Sequence, residues 1–251
     1  EATPHRSTPT VVLPAPGLGS DERGRVAGVV DGLRVWLPST LVAEASQLPA
    51  TVELSAVRPA LSPGFFLVDG PSGRRHQAPL ARVYVHLRRP EDAAPVWHRV
   101  LTRLNESGVV YRAKIASAPR FFPRQDALVV YLGRGSWDAA VQIRDVVQDL
   151  GARVGDTSSI FTHVLAPGVS LAWEPADSRP GYEGLSFGEH RCKAVAEALV
   201  AVATGTAPSV DEALRDTMTA AAIDPECPAR NHDSPGLPDI GLGGPVPGPK
   251  G

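Results

Sequence analysis

The run Arg82-Val83-Tyr84-Val85-His86-Leu87-Arg88 alternates strictly between polar and apolar residues. In an extended strand successive side chains point to opposite faces, so Arg82, Tyr84, His86 and Arg88 share one side and Val83, Val85 and Leu87 the other. The stretch Val110-Tyr111-Arg112-Ala113-Lys114-Ile115 repeats the arrangement, with Arg112 and Lys114 opposite Tyr111, Ala113 and Ile115. Arg124 and Asp126 stand immediately before the apolar strand Ala127 to Tyr131, and His190 and Arg191 fall in the first turn of a later helix. Imidazole, amine, phenol and guanidinium groups gathered on one sheet can hold an anion and move a proton. His190 and Arg191 add a second hint. Cations at a helix N-terminus meet the positive end of the macrodipole, so a negatively charged ligand at that turn would account for them, and the turn itself suits phosphate. The plain alternative is that polar alternation is the default of a solvated sheet face, with His86 a satisfied histidine and Arg191 a partner for Glu189.

Other chemistry is excluded by what is missing. There is no GxxxxGK[ST], no strand followed by GxGxxG, and no GxSxG, HExxH or EF-hand loop. The seven histidines include no pair at ligand spacing, so neither a metal nor another cofactor is expected. Lys and Arg number 25 against 27 Asp and Glu, a balance that argues against nucleic acid or an anionic membrane as partner. Phosphate chemistry would have to come from a local basic cluster. The longest apolar runs fall short of the roughly 18 residues that cross a bilayer, and no apolar leader opens the chain, so a cytoplasmic protein is expected. Cys192 and Cys227 have neither zinc-type nor redox-type spacing and are expected to be reduced thiols.

The elements that must position these residues are legible in part. Arg25 to Val30 and Leu33 to Leu37 flank Asp31-Gly32, a strong hairpin signal. Further strands are expected at Thr51–Val57, Gly64–Val68, Ala81–Leu87, Val109–Ala116 and Ala127–Leu132. Helices are expected from about Ala93 to Asn105, from a Ser136 cap to Leu150, near 187–203 and near 210–222. The last two follow capping boxes, Ser186 with Glu189 and Ser209 with Glu212. Hairpins first and helices later indicate a single α+β domain, an antiparallel sheet with helices mainly from the C-terminal half. Of 251 residues, 24 are Gly and 25 are Pro. Many of these lie at the ends, so residues 1–20 are expected to be a flexible segment, 21–223 the globular body and 224–251 a disordered tail.

Six motifs in one order then resemble the HopA-type bacterial effector domain family: PGFF at Pro63–Phe66, RVYVHL at Arg82–Leu87, YRAKI at Tyr111–Ile115, PRQDALVVYL at Pro123–Leu132, LAPGVSLAWEP at Leu165–Pro175 and SFGEHRC at Ser186–Cys192. The resemblance spans roughly residues 25–205. It covers effectors delivered by type III secretion and stand-alone proteins of class V lanthipeptide and thioamitide pathways, which act beside a kinase-like partner. The Ala, Arg, Val, Gly and Pro bias looks like a GC-rich actinobacterial source and favours the biosynthetic branch. What the resemblance implies is a lyase: the kinase phosphorylates Ser or Thr of a ribosomal precursor peptide, and this protein eliminates phosphate to leave dehydroalanine or dehydrobutyrine.

A more distant similarity, to phosphothreonine lyases of the OspF and SpvC type, implies the roles. His86 in VHL would be the acid, Lys114 in AKI the base, with Arg124 and Tyr131 following in the same order. Lysine accepts a proton only when neutral, a state that desolvation and a neighbouring cation such as Arg112 favour. Arg124 and Arg191 are the first phosphate ligands expected, because guanidinium binds phosphate oxygens bidentately; Arg82, Arg88 and Arg112 come second. Tyr131 would donate to phosphate or to the enolate. The alternative function is a non-catalytic module that engages a pathway kinase or a host protein. Convergence of Lys114, Arg124, Arg191 and His86 in one concave pocket would favour the lyase.

Overall fold

Runs rich in Val, Leu, Tyr and Phe form the central sheet, and the amphipathic segments between and after them form the helices that cover it. In the computed structural model, residues 8–13, 23–30, 33–40, 50–54, 56–58, 62–72 and 78–236 are described. Strands β1 (Thr8–Leu13), β2 (Arg25–Val30), β3 (Leu33–Pro38) and β4 (Ala50–Leu54) make two small ribbons, β1 with β4 and β2 with β3. The β2–β3 hairpin pairs from Val30 opposite Leu33 to Arg25 opposite Pro38, as the Asp31-Gly32 signal requires; those two turn residues lie outside the described ones.

The main sheet contains β5 (Phe65–Asp69), β6 (Ala81–Leu87), β7 (Tyr111–Ala116), β8 (Arg124–Leu132), β9 (His163–Ala166) and β10 (Val169–Trp173), in the order β5-β7-β8-β6-β10-β9. Every neighbouring pair is antiparallel. Helices α1 (Ala93–Glu106), α2 (Ala139–Asp149), α3 (Phe187–Ala203) and α4 (Val210–Ala220) complete an α+β architecture.

One sheet face is sealed. Val83, Val85, Leu128, Val130, Leu171 and Trp173 share a core with Val100, Leu101 and Leu104 of α1 and with Ile143 and Val147 of α2. The helical residues recur at three- and four-residue spacing, so each helix presents one apolar stripe to the sheet. Full burial of each such side chain contributes about 1.5–3 kcal/mol.

Four expectations need correction. Residues 8–13, inside the segment expected to be a tether, form β1 and pair with β4; the run Val11-Val12-Leu13 is too short to show a period on its own. Strands β9 and β10 are absent from the expected set: Val169, Leu171 and Trp173 alternate with Ser170 and Ala172, but over five residues only, and β9 is four residues long. Gly168 turns between them at φ +70, and a Cβ there would lie 1.9 Å from the Gly155 carbonyl oxygen, so only glycine fits. Helix α2 is capped at Asp138 and begins at Ala139; the Ser136 carbonyl instead accepts the Ala139 N–H in a preceding turn.

The fourth correction bears on the site. The Gly/Pro content of the C-terminal stretch suggests disorder from 224, yet residues 224–236 pack back onto the sheet. The Trp173 N–H donates to the Ala229 carbonyl at 2.8 Å, and the Asn231 amide donates to the Glu174 carbonyl at 2.7 Å. Residues 237–251 lie outside the described ones.

Candidate functional site

The register of the central strands decides which side chains meet on the second face. Lys114 of β7 lies opposite Val129 of β8, Val129 opposite Tyr84 of β6, and Tyr84 opposite Ser170 of β10. The next row is Arg112, Tyr131, Arg82 and Ala172. Residues paired across a sheet point to the same side, so both rows stand away from α1 and α2.

Two parts of this face have different covers. Around Tyr84, Val129 and Ala172 it is closed by Phe187 at the start of α3 and by Ala229 of the C-terminal segment. Toward β7 it opens into a cavity of about 740 Å³, whose walls include Phe65, Lys114, Arg124, Tyr84, Ser170 and the turn Ser186–Glu189. That turn is a complete capping box: the Ser186 hydroxyl accepts the Glu189 N–H, and the Glu189 carboxylate accepts the Ser186 N–H at 2.9 Å.

The cavity wall carries three cations and two carboxylates. Arg82 is fastened to Glu174 by two guanidinium hydrogen bonds, and Arg124 to Asp126 by two more. Glu189 is engaged in the capping box. Lys114 alone among the lining cations forms no ion pair with a carboxylate of the described residues. Its Nζ lies 4.3 Å from the centre of the Phe65 ring and 5.9 Å from that of Tyr131. Tyr84 is 7% exposed, and its buried Oη lies beside the Arg82 guanidinium. Burial pushes the Tyr84 phenol well above its ordinary value, so it stays a protonated donor.

The residues expected to form the site divide accordingly. Lys114, Arg124 and Arg82 line this one cavity. His86 and Arg88 line a neighbouring cavity of about 440 Å³ that shares Arg124 and Gln125 with the first. His86 Nδ1 accepts from the Thr157 N–H at 3.4 Å, which leaves the proton on Nε2, and its ring lies where a Gly155 Cβ would come within 2.1 Å. Burial and then the Arg88 cation lower the His86 imidazole below its ordinary range, which favours the neutral form. Arg88 pairs with Asp156 at 2.6 Å. Arg112 turns to the buried Asp69 at 2.8 Å, so the cation expected to act on Lys114 is compensated. Tyr131 packs between Arg82 and Lys114, half-buried one row along the same face and outside the cavity lining.

Arg191 is not on the wall either. It is fully buried, with Nε donating to the Pro228 carbonyl at 2.9 Å, Nη2 to the Arg230 carbonyl and to Asn231 Oδ1, and Nη1 to His190 Nδ1 at 2.9 Å. Burial lowers its guanidinium to about 10. His190 Nε2 lies 3.2 Å from Asp177, so the imidazole is neutral, accepting from Arg191 on one nitrogen and donating to Asp177 through the other. The pair expected to greet an anion at the α3 turn is a clamp on the C-terminal segment.

Tyr84 and the α3 turn line the cavity beside Lys114, Arg124 and Arg82. Tyr84 shares its alternation with Arg82 and His86, and the SFGE turn is visible as a capping box, so the signals exist; what sequence cannot supply is that the turn folds back over β6. Among the described residues no three His, Cys, Asp or Glu side chains come together as metal ligands, and no helix is long and apolar enough to cross a membrane.

Residues 56–230 match the HopA1 effector protein family. A comparison with curated proteins finds no match. Similar solved structures include the effector protein from Pseudomonas syringae pv. tomato strain DC3000, at 18% identity and a TM-score of 0.53 over 69% of this chain and 66% of that one. The effector protein from Pseudomonas syringae pv. syringae strain 61 matches at 17% identity and a TM-score of 0.51 over 66% and 62%. At such identities the likeness is one of fold, and in both cases it spans just under two thirds of the relative's own length.

Proposed function

Because the chain belongs to the HopA1 effector protein family, and because its open cavity holds an amine without a carboxylate partner among the described residues, we propose that it is a lyase acting on phosphoserine or phosphothreonine of a ribosomal precursor peptide. A kinase-like partner would supply the phosphorylated peptide, and the product would carry dehydroalanine or dehydrobutyrine. The observation that carries this reading is the position of Lys114. It stands on a rigid central strand, against the Phe65 ring, and faces a cavity large enough for an extended peptide segment.

In the reaction the Lys114 amine, as the base, takes the Cα proton. The electron pair left on Cα forms the Cα–Cβ double bond, and the Cβ–O bond breaks with its pair going to phosphate. Arg124, at the cavity rim and about 39% exposed in its side chain, can exchange Asp126 for the substrate phosphate. His86 belongs to the adjoining lobe, where the flanking peptide would run.

A second reading, a non-catalytic module that engages a kinase or host protein, is favoured by Leu199 and Val200, 52% and 60% exposed on α3. Incubation of the protein with a phosphorylated precursor peptide, followed by mass spectrometry, separates the two. The lyase reading expects loss of one phosphoric acid per modified residue. A peptide that stays fully phosphorylated with and without the co-purified kinase, yet binds, would leave the module reading in its place.

A further inference from the structure

One edge of the His86 ring is fixed and the other is free. Its Nδ1 lies 3.1 Å from the Thr157 hydroxyl and 3.4 Å from the Thr157 N–H, and the Gln125 amide donates to that hydroxyl at 3.1 Å. With its oxygen accepting from Gln125, the hydroxyl gives its hydrogen to Nδ1, so the series Gln125, Thr157, His86 holds the ring in the Nε2–H tautomer. Gly155 closes the same edge, since a Cβ there would lie 2.1 Å from Nδ1. The residue is 7% exposed, and its Nε2–H meets no acceptor among the described residues. What adjoins it is the cavity of about 440 Å³, whose walls also include Thr157, Gln125 and Pro123. The β6–β8 ladder opens at this point: from Val85 opposite Leu128 to Leu87 opposite Arg124, β6 advances two residues and β8 four. Irregularities of this kind re-aim side chains beside functional sites.

The charges around the free edge select its ligand. Arg88 pairs with Asp156 at 2.6 Å and Arg124 with Asp126, so each cation of this lobe already has a carboxylate. Burial, and then Arg88, keep the imidazole neutral. An entering carboxylate would meet Asp156 and Asp126 without a free cation to receive it, whereas a neutral oxygen meets a donor and no opposing charge. We propose that His86 donates its Nε2–H to a main-chain carbonyl of the substrate peptide and so fixes the chain that flanks the phosphorylated residue, in place of the acid role that the resemblance implies. That role rests on the lyase reading for the identity of the peptide; the donor itself rests on the geometry of Gln125, Thr157 and His86. Lys114, Val129 and Tyr84 face one another across three strands, and His86 stands two residues beyond Tyr84. Standard sheet dimensions then put the Cα atoms of Lys114 and His86 roughly 12 Å apart, the span of about three or four extended residues. The carbonyl belongs to a residue at about that distance along the peptide from the one that loses phosphate. Because the hydrogen bond is made equally before and during elimination, it lowers KM and leaves kcat.

The test uses two synthetic probes with blocked ends: a tripeptide centred on phosphoserine, and a nine-residue peptide with phosphoserine at its centre and alanine or glycine elsewhere. Titration of the whole chain carrying nitrogen-15 histidine reads the His86 Nε2–H directly. The long probe should move that resonance, and the tripeptide should not. His86→Leu should weaken the long probe roughly five- to tenfold, and His86→Gln, which keeps an N–H donor, should recover most of the loss. Thr157→Val should let the Nδ1–H tautomer appear in the same spectra and weaken the long probe by about twofold. Melting temperatures recorded alongside separate unfolding from a lost contact; if His86→Leu does not fold, His86→Gln and Thr157→Val carry the test. Where the long probe is eliminated, His86→Leu should raise KM and leave kcat. A His86 resonance that the long probe does not move, or parent-like affinity in a folded His86→Leu, overturns the contact. So does a loss of kcat at unchanged KM, which is the mark of the acid. The expected binding pattern with no elimination by the parent keeps the contact and removes the lyase.

Discussion

Arg191 and Lys114 stand on the same side of the molecule, on the face of the sheet turned away from α1 and α2, and they have opposite surroundings. Arg191 is fully buried, and its guanidinium spends four donors on Pro228, Arg230, Asn231 and His190. Lys114 borders a cavity, and what it touches are the faces of Phe65 and Tyr131. Neither forms an ion pair with a carboxylate of the described residues. The number of acceptors, more than the charge, separates a cation that holds the fold from one that is available for chemistry. The sealed half of the face, under Phe187 and Ala229, is the clamp; the open half is the candidate site.

The sharpest way to break this contrast is Arg191→Leu, which leaves the Pro228 carbonyl and Asn231 Oδ1 without a donor, the Arg230 carbonyl keeping the Asp224 N–H. Its expected cost is about 3 kcal/mol or more, read as a drop in the urea midpoint together with loss of amide protection over 224–236. A parent-like midpoint would make the clamp dispensable and reopen Arg191 as a phosphate ligand. Ser186→Ala is expected to cost about 1 kcal/mol, because it removes one half of the α3 capping box; an unchanged midpoint would show that the box adds nothing to the turn that borders the cavity.

A smaller effect is expected from pH. Burial, and then Arg191, hold the His190 imidazole below its ordinary value, so the folded protein keeps it neutral. As pH falls through about 6.5 the unfolded chain binds a proton that the folded chain resists, and stability falls with it. His190→Gln should flatten the stability profile between about pH 7 and 5. A profile as steep as the parent's would move that proton uptake to His86 and His163, whose imidazoles burial also depresses. Least of all, Lys114→Ala should change stability by less than about 0.5 kcal/mol, since no hydrogen bond or ion pair is lost with it.

The strands and helices that build the helix-covered face are visible in the sequence, because Val83, Val85 and Leu87 alternate with polar residues and Val96, Val100 and Leu104 repeat at helical spacing. The polar face is visible only as a face. Alternation puts Arg82, Tyr84 and His86 on one side of β6, but their fates depend on partners distant in sequence: Glu174 for Arg82, Phe187 for Tyr84 and Thr157 for His86. Arg191 misleads for a related reason. Its cost at a helix N-terminus suggests a ligand, and the acceptors that stabilise it come from residues 228–231, in a stretch whose Gly and Pro content reads as disorder. The hairpin of β9 and β10 is easily missed because its strands are only four and five residues long, too short for the alternation of Val169, Leu171 and Trp173 to stand out.

The central claim is that the open half of this face does chemistry through Lys114. The most direct measurement compares the parent and Lys114→Ala on one phosphorylated precursor peptide, with melting temperatures recorded alongside and dehydration followed by mass. The expected result is an equally stable variant that binds the phosphopeptide and eliminates phosphate about 10²- to 10⁴-fold more slowly, the range for loss of a positioned base. Elimination at the parent rate by a folded Lys114→Ala would contradict it.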